Sequence, residues 1–184
     1  MILVNGDSFT AGEESPVAWP DLIANTVNIA TPGAGNDHIA LSTVDYIENN
    51  PDVDSVIVAW TTPNRICISG KHLTPTSQRK YGDIVEHVFK DWDDEWAWQR
   101  FQTTVNMLHG YLGYKNIPHV FASTFGIPAG TMNGRWYWMD WQSEGMIEWM
   151  GDCPKGPGGH PLTLGHQRIA NKINEHIRNL GWLS

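Results

Sequence analysis

Short apolar segments alternate with amphipathic helical patterns along this chain, and that alternation restricts its fold more than any other feature. The run "SVIVAW" at 55–60 is continuously apolar, as expected for a parallel strand buried on both faces. Shorter strands are predicted at 2–4, 26–30 and 117–124. Apolar residues at helical spacing predict helices over 37–50, 98–112 and 169–180.

A strand–helix alternation of this kind favours a parallel sheet with helices on both faces. We therefore predict an α/β fold, a three-layer α/β/α sandwich with a flavodoxin-like parallel sheet of about five strands. The fifth strand is the least visible, and "RWYWM" at 135–139 is the candidate. We expect one domain over 1–184 with a Trp-rich insertion around 126–159. Residues 66–91 look irregular apart from a short helix at 84–89.

Composition excludes several classes of function. The net charge is −8 and Lys and Arg form no run, so nucleic acid is not an expected partner. There is no apolar stretch of about 18 residues, which argues against a membrane span. There is also no basic-then-apolar leader, so we expect a cytoplasmic protein, with export by another route left open. Oligomeric state is not indicated.

Metal and redox chemistry are not predicted. The two cysteines, Cys67 and Cys153, match no metal or redox spacing, and the histidines at 38, 72, 87, 109, 119 and 176 show no ligand spacing. We expect two reduced thiols, no metal site and no cofactor.

Four polar or glycine-rich loops are predicted to meet at the carboxyl edge of the sheet, where ligands bind in such folds. They are "GDSFT", "TPGAGN", "WTTPNR" and the late segment "GGHPLTLGH". In the first, Ser8 follows a strand in a tight turn. Such a turn exposes the hydroxyl and directs the next backbone N–H groups to the same point, which is the geometry of a nucleophile.

The order of these segments resembles the SGNH, or GDSL-like, hydrolases, which are α/β/α esterases and lipases. "GDSFT" resembles their first block, "NIATPGAGND" the second and "HPLTLGHQRIA" the last, so the resemblance runs from Gly6 to Ala170. It implies that Ser8 is the nucleophile and that Gly33, with Gly35 as second choice, donates an N–H to the oxyanion. It also implies that His160, not His166, is the general base, and that no cofactor is needed.

Two departures from the family pattern leave alternatives open. The oxyanion asparagine of the third block falls near Thr62, with Asn64 two residues on, and both side chains can donate. The aspartate expected three residues before the histidine is Pro157, which offers neither a carboxylate nor an N–H. The imidazole is then oriented by a backbone carbonyl of "GPGG" or by a carboxylate from elsewhere in the chain, of which Asp152 is the closest, or the site is inactive.

The expected substrate is a small-molecule or carbohydrate ester, cleaved through an acyl-serine. Arg65 is a candidate ligand for an anionic substrate group, although a salt bridge is an equal interpretation. Most of the ten tryptophans are expected to pack in or over the core, and one or two to line the pocket. Trp136 and Trp138 are the candidates for a surface that stacks on sugars, with an acetylated carbohydrate as the substrate. The alternatives are a binding or structural module that has lost its chemistry, and an acyltransferase on the same scaffold.

Overall fold

Four parallel strands form the centre of the protein. The structure is a computed structural model and describes residues 1–75, 77–126, 138–139 and 144–182, without the side chains of residues 78 and 79. The strands of the sheet are β1 (Ile2–Asn5), β2 (Thr26–Asn28), β3 (Ser55–Trp60) and β6 (His119–Ser123). They lie in the order β2-β1-β3-β6, and every neighbouring pair is parallel.

Helices cover both faces of this sheet, which confirms the predicted α/β architecture. They are α1 (Ser8–Ala11), α2 (Asn36–Asn49), α3 (Gln78–Tyr81), α4 (Asp83–Phe89), α5 (Asp94–Tyr114), α6 (Met146–Met150) and α7 (Thr163–Asn179), with a 3-10 turn at Trp19–Leu22. No helix in the described ranges is both long and apolar enough to cross a membrane.

Strand β3 contributes to a hydrophobic core on each face of the sheet. Its residues Val56, Val58 and Trp60 pack into one core with α2 and α5, whereas Ile57 and Ala59 pack into a second core with α6 and α7. Successive side chains of a strand point to opposite faces, so a strand covered on both sides must be apolar throughout.

The predicted fifth strand is represented by two described residues. Trp138 forms an isolated parallel bridge with Phe121 of β6, and the N–H of Met139 donates to the Phe121 carbonyl at 2.8 Å. Residues 135–137 of the "RWYWM" candidate lie outside the described residues. The bridge places Trp138 at the β6 edge of the sheet.

Residues 66–91 contain more regular structure than the sequence indicates. Strands β4 (Ile66–Ile68) and β5 (Lys71–Leu73) form an antiparallel hairpin, and α3 and α4 follow it. Ile66, Leu73 and Val85 form a small core of their own there. Strands of three residues are too short to show a period of two, so sequence periodicity could not predict this hairpin.

His166 joins the last helix to the early part of the chain. It is fully buried in the first turn of α7, and its Nδ1 accepts the backbone N–H of Trp19 at 3.1 Å. Burial lowers the pKa of His166 from 6.5 to about 4, because the charged imidazolium loses its hydration. The side chain is therefore a neutral part of the core at neutral pH.

We expect the free energy of unfolding to decrease as the pH is lowered from about 6.5 to 4. His166 takes up a proton at its ordinary pKa of 6.5 when unfolded but only near 4 when folded, so acid favours the unfolded state. At about 1.4 kcal/mol per pKa unit, this residue accounts for about 3 kcal/mol of the decrease in the free energy of unfolding. His166→Asn, which keeps an acceptor for the Trp19 N–H, should make the free energy of unfolding less dependent on pH. Urea unfolding at several pH values measures this dependence.

The matched control is His87→Asn, on an exposed position of α4. His119 is buried too, and burial lowers its pKa, so it adds slope of the same sign in every variant. Equal pH slopes for the His166 variant and the unmodified protein would contradict this assignment.

Candidate active site

Ser8 lies where the first strand meets its short helix. It is the first residue of α1 and is 4% exposed at the carboxyl edge of β1. The turn before it has no room for a side chain at Gly6, where a Cβ would lie 2.4 Å from Thr10 Oγ1. The chain can therefore turn sharply after β1 and present Ser8 at the start of the helix.

The buried carboxylate of Asp7 organises the loops around Ser8. It caps α1 by accepting the N–H of Phe9 at 3.1 Å. It also accepts the hydroxyls of Thr61 at 2.8 Å and Thr124 at 3.1 Å, which follow β3 and β6, and lies 3.3 Å from Nη1 of Arg65. One fully buried anion thus joins the ends of three strands.

Two asparagine side chains fasten α2 to the same edge. Nδ2 of Asn5 donates to the Ile39 carbonyl and to Thr43 Oγ1, both at 2.9 Å. Asn36 donates to the Thr61 carbonyl at 3.1 Å and accepts the Thr61 N–H at 2.9 Å. The loop after β2 is consequently held between α2 and the strand ends.

His160 contacts a carboxylate from another part of the chain, that of Glu14 rather than Asp152. Its Nδ1 lies 2.9 Å from Oε2 of Glu14, which follows the nucleophile turn. Glu14 also accepts the backbone N–H groups of Gly158 at 2.8 Å and His160 at 3.3 Å. The bond from Gly158, followed by that from the imidazole, lowers the pKa of Glu14. An ionised Glu14 requires a proton on Nδ1 and so leaves Nε2 as the basic nitrogen.

The chain is shaped locally for this contact. Glu14 has a φ of 67°, in the left-handed region that few residues with a side chain adopt. A Cβ at Gly156 would lie 2.6 Å from Oε2 of Glu14, and one at Gly158 would lie 3.0 Å from both Glu14 Oε2 and His160 Nδ1. The glycines of "GPGG" therefore leave the space that the carboxylate occupies.

The orienting groups expected from the sequence are not found on His160 in the described part of the chain. Asp152 is exposed and pairs with Arg168 at 3.3 Å. Nδ1 of His160 contacts the side chain of Glu14 rather than a carbonyl of the "GPGG" loop. The only sequence signal for Glu14 is a pair of glutamates soon after Ser8. Nothing along the chain connects them to a histidine 146 residues later.

Ser8 and His160 line the same cavity, of about 290 Å³, together with Gly33 and Arg65. Among the described residues, no hydrogen bond joins the Ser8 hydroxyl to His160, and Nε2 of His160 instead lies 3.5 Å from Oε2 of Glu13. Hydrogen bonds between catalytic groups are often long without substrate and shorten in the complex. The Ser8–His160 pair stays a prediction with both members at one cavity.

The structure places some of the predicted oxyanion donors at the cavity and others outside it. Gly33 lines the cavity with a φ of 76°, and within the described ranges neither its N–H nor that of Ser8 donates a hydrogen bond. Thr62 and Asn64 are not among the residues lining the cavity, and Thr62 Oγ1 donates to Asn64 Oδ1 at 2.7 Å. The two backbone N–H groups are therefore the available donors.

The third loop contributes Arg65 to the cavity. Its guanidinium pairs with Asp7 and lies 5.7 Å from the centroid of the Phe125 ring. His72 also lines the cavity, and burial lowers its pKa. Burial, followed by the negative charge of Asp37, raises the pKa of Cys67, which pairs with His72 across the β4–β5 hairpin.

The structure describes one of the two tryptophans that were predicted to form a sugar-stacking wall. Trp138 is buried in the α2–α5 core, with its ring 5.7 Å from that of Phe121, and it does not line the cavity. Trp136 lies outside the described residues.

Comparison with known proteins gives structural matches only. No protein-family model and no curated protein sequence matches the chain. The psychrotrophic esterase EstA from Pseudoalteromonas sp., solved with monoethylphosphonate as inhibitor, is similar with a TM-score of 0.59 at 13% identity, covering 97% of both chains. A member of the lipolytic G-D-S-L family from Veillonella parvula is similar with a TM-score of 0.52 at 12% identity, covering 95% of this chain and 96% of that one. The chain thus has the fold that the sequence resemblance implies.

Asp7→Ala should lower the free energy of unfolding by about 3 kcal/mol or more, because it leaves Arg65 and two buried hydroxyls without their acceptor. Urea unfolding measures this. Asp152→Ala removes a carboxylate that is 97% exposed, and it should change stability by less than about 1 kcal/mol. Equal effects of the two substitutions would show that the Asp7 network does not hold the loops together.

Proposed function

We propose that the chain is a serine ester hydrolase that acts through an acyl-serine, with Ser8 as nucleophile and His160 as general base. The observation that carries this proposal is the pairing of His160 Nδ1 with Glu14 at the cavity that Ser8 also lines. A neutral imidazole with a proton on Nδ1 has a basic nitrogen ready to accept the hydroxyl proton.

The proposed reaction follows from these positions. Ser8 Oγ attacks the ester carbonyl and its proton passes to Nε2 of His160. The N–H groups of Ser8 and Gly33 stabilise the oxyanion, and His160 returns the proton to the departing alcohol. Water, activated by the same nitrogen, then releases the acid and restores Ser8. In this scheme Glu14 stabilises the imidazolium that forms in each half.

Arg65 is the side chain of the third loop that we assign to the substrate. It lines the cavity, whereas Thr62 and Asn64 bond to each other away from it. Its Nη1 pairs with Asp7, and the guanidinium has further N–H donors, so it can contact the oxyanion or an acidic substrate group without leaving its buried partner. This contact is the contribution that the family's third block makes through an asparagine.

The proposed substrate is a short acyl ester, since a cavity of about 290 Å³ lies near the lower limit of small-molecule sites. The acetylated carbohydrate suggested by the tryptophans receives no support from Trp138, which is part of the core. We therefore leave the alcohol portion of the substrate out of the proposal.

Labelling with a fluorophosphonate tests the nucleophile directly. EstA was solved with a phosphonate inhibitor, and a phosphonate reagent reacts with an activated serine. We expect one label per chain, located on Ser8 by mass spectrometry, and none on Ser8→Ala. Ser15→Ala, at a serine whose hydroxyl donates to the Val17 carbonyl, is the matched control and should label normally.

The labelling experiment also tests the alternative of a binding or structural module that has lost its chemistry. One observation favours this alternative. Nε2 of His160 lies beside Glu13 rather than Ser8. If Ser8 remains unlabelled while the chain is folded by circular dichroism, this orientation is the working state and the hydrolase proposal fails.

Glu14→Gln should lower kcat for p-nitrophenyl acetate by at least about 10²-fold. The effect should be below the roughly 10⁴-fold loss typical of a buried triad carboxylate, because Glu14 is partly exposed. KM should change little, since Glu14 contacts His160 and the "GPGG" loop but does not line the cavity. Steady-state kinetics measure both constants.

Asp152→Asn distinguishes the two candidate carboxylates, and Glu175→Gln, at an exposed position of α7, is the control for the chemical change. We expect full kcat in both. A large loss in the Asp152 variant together with a normal Glu14 variant would assign the orienting role to Asp152.

A further inference from the structure

Three side chains at and beside the cavity wall carry the donor atoms of a metal site. They are His38, Cys67 and His72, and their ligand atoms all lie within 4.8 Å of one another. Each is partly buried. Two imidazoles and a thiol are nitrogen and sulfur ligands, the set that zinc prefers in proteins.

The fold brings these residues together through the β4–β5 hairpin. Cys67 and His72 are directly opposed in its antiparallel register, so their side chains leave the same face of the hairpin. That face meets the first turn of α2, where the rings of His38 and His72 lie 4.7 Å apart. Because the ligands come from two strands and a helix, their spacing in the sequence resembles no known metal motif.

Asp37 holds the hairpin at this distance from the helix. Its Oδ2 accepts the backbone N–H of Cys67 at 3.1 Å, and its Oδ1 accepts that of His38 at 3.0 Å. Oδ2 also lies 3.9 Å from Nη1 of Arg100. A carboxylate bonded to the backbone of two ligand residues fixes their positions and offsets the charge of a bound cation.

The cluster also contains a polar atom without a partner. Nδ1 of His72 is buried and makes no hydrogen bond within the described part of the chain. A buried imidazole nitrogen normally has a donor, an acceptor or a metal beside it. In a tetrahedral zinc site the ligand atoms lie about 3.3–3.8 Å apart, so the three side chains must approach by at most about 1.5 Å.

We propose that His38, Cys67 and His72 bind a zinc ion that fastens the β4–β5 hairpin to α2. Three protein ligands leave one position of a tetrahedral ion for water or another small ligand. His72 also lines the cavity beside Gly33 and Ser8, so the ion fixes one wall of that cavity. The metal site does not depend on the proposed ester hydrolysis, and its test does not use activity.

Cobalt(II) is the probe, because it occupies zinc sites and is coloured. The full-length protein is reduced, stripped with a chelator and titrated with cobalt. We expect visible bands of a tetrahedral ion and a near-ultraviolet thiolate-to-cobalt band, both saturating at one equivalent and both abolished by added zinc.

The chain supplies matched controls for both ligand types. Cys67→Ser should abolish the thiolate band, whereas Cys153→Ser, at the other free cysteine, should keep it. His72→Asn should weaken cobalt binding more than the roughly 10- to 100-fold cost of removing an outer hydrogen-bond partner of a ligand. His87→Asn, at an exposed histidine, should bind normally.

Circular dichroism establishes that each variant is folded, and the two ligand variants are independent of each other. The proposal is overturned if the unmodified protein shows no saturating bands. It is also overturned if every folded ligand variant binds cobalt as the unmodified protein does, or if Cys153→Ser abolishes the thiolate band.

Discussion

The carboxylate of Asp7 is the interaction on which the arrangement of this site depends. A buried anion is tolerated only when it is fully hydrogen-bonded, and this one draws its donors from the loops that follow β3 and β6 as well as from its own turn. Thr61 and Thr124 therefore do more than end their strands, since they set where each loop begins. Arg65 completes the shell and is brought to the cavity by the same attraction. The position of Ser8 is a product of this network.

Sequence reasoning predicted what periodicity and motif order encode. The four strands of the sheet and the long helices follow from apolar spacing, because an element buried on one or two faces has apolar residues at a characteristic period. Ser8, Gly33, His160 and Arg65 line one cavity because parallel strands deliver their loops to one edge. Thr62 and Asn64 were predicted as oxyanion donors from their position in the third block, and in the structure they bond to each other. Trp138 was predicted at the pocket from composition, and in the structure it is part of the core.

The features that the sequence did not predict depend on contacts that no periodicity or motif encodes. Glu14 reaches a histidine 146 residues later, and no local pattern announces that contact. Cys67 and His72 became neighbours only through a hairpin of three-residue strands. This hairpin has its own small core of Ile66, Leu73 and Val85, separate from the two cores that flank the sheet. Its place at the cavity therefore depends on polar contacts with α2 more than on apolar burial.

Glu14 places the carboxylate that contacts His160 close to Ser8 in the sequence. Ser8 and the carboxylate that contacts His160 lie within one stretch of seven residues, from Ser8 to Glu14, while the late loop brings an imidazole and no carboxylate of its own. Glu14 positions that loop, since its carboxylate accepts the backbone N–H of Gly158 and contacts the ring of His160. One carboxylate therefore sets the position of both the loop backbone and the imidazole ring, so a displacement of Glu14 would move the two together.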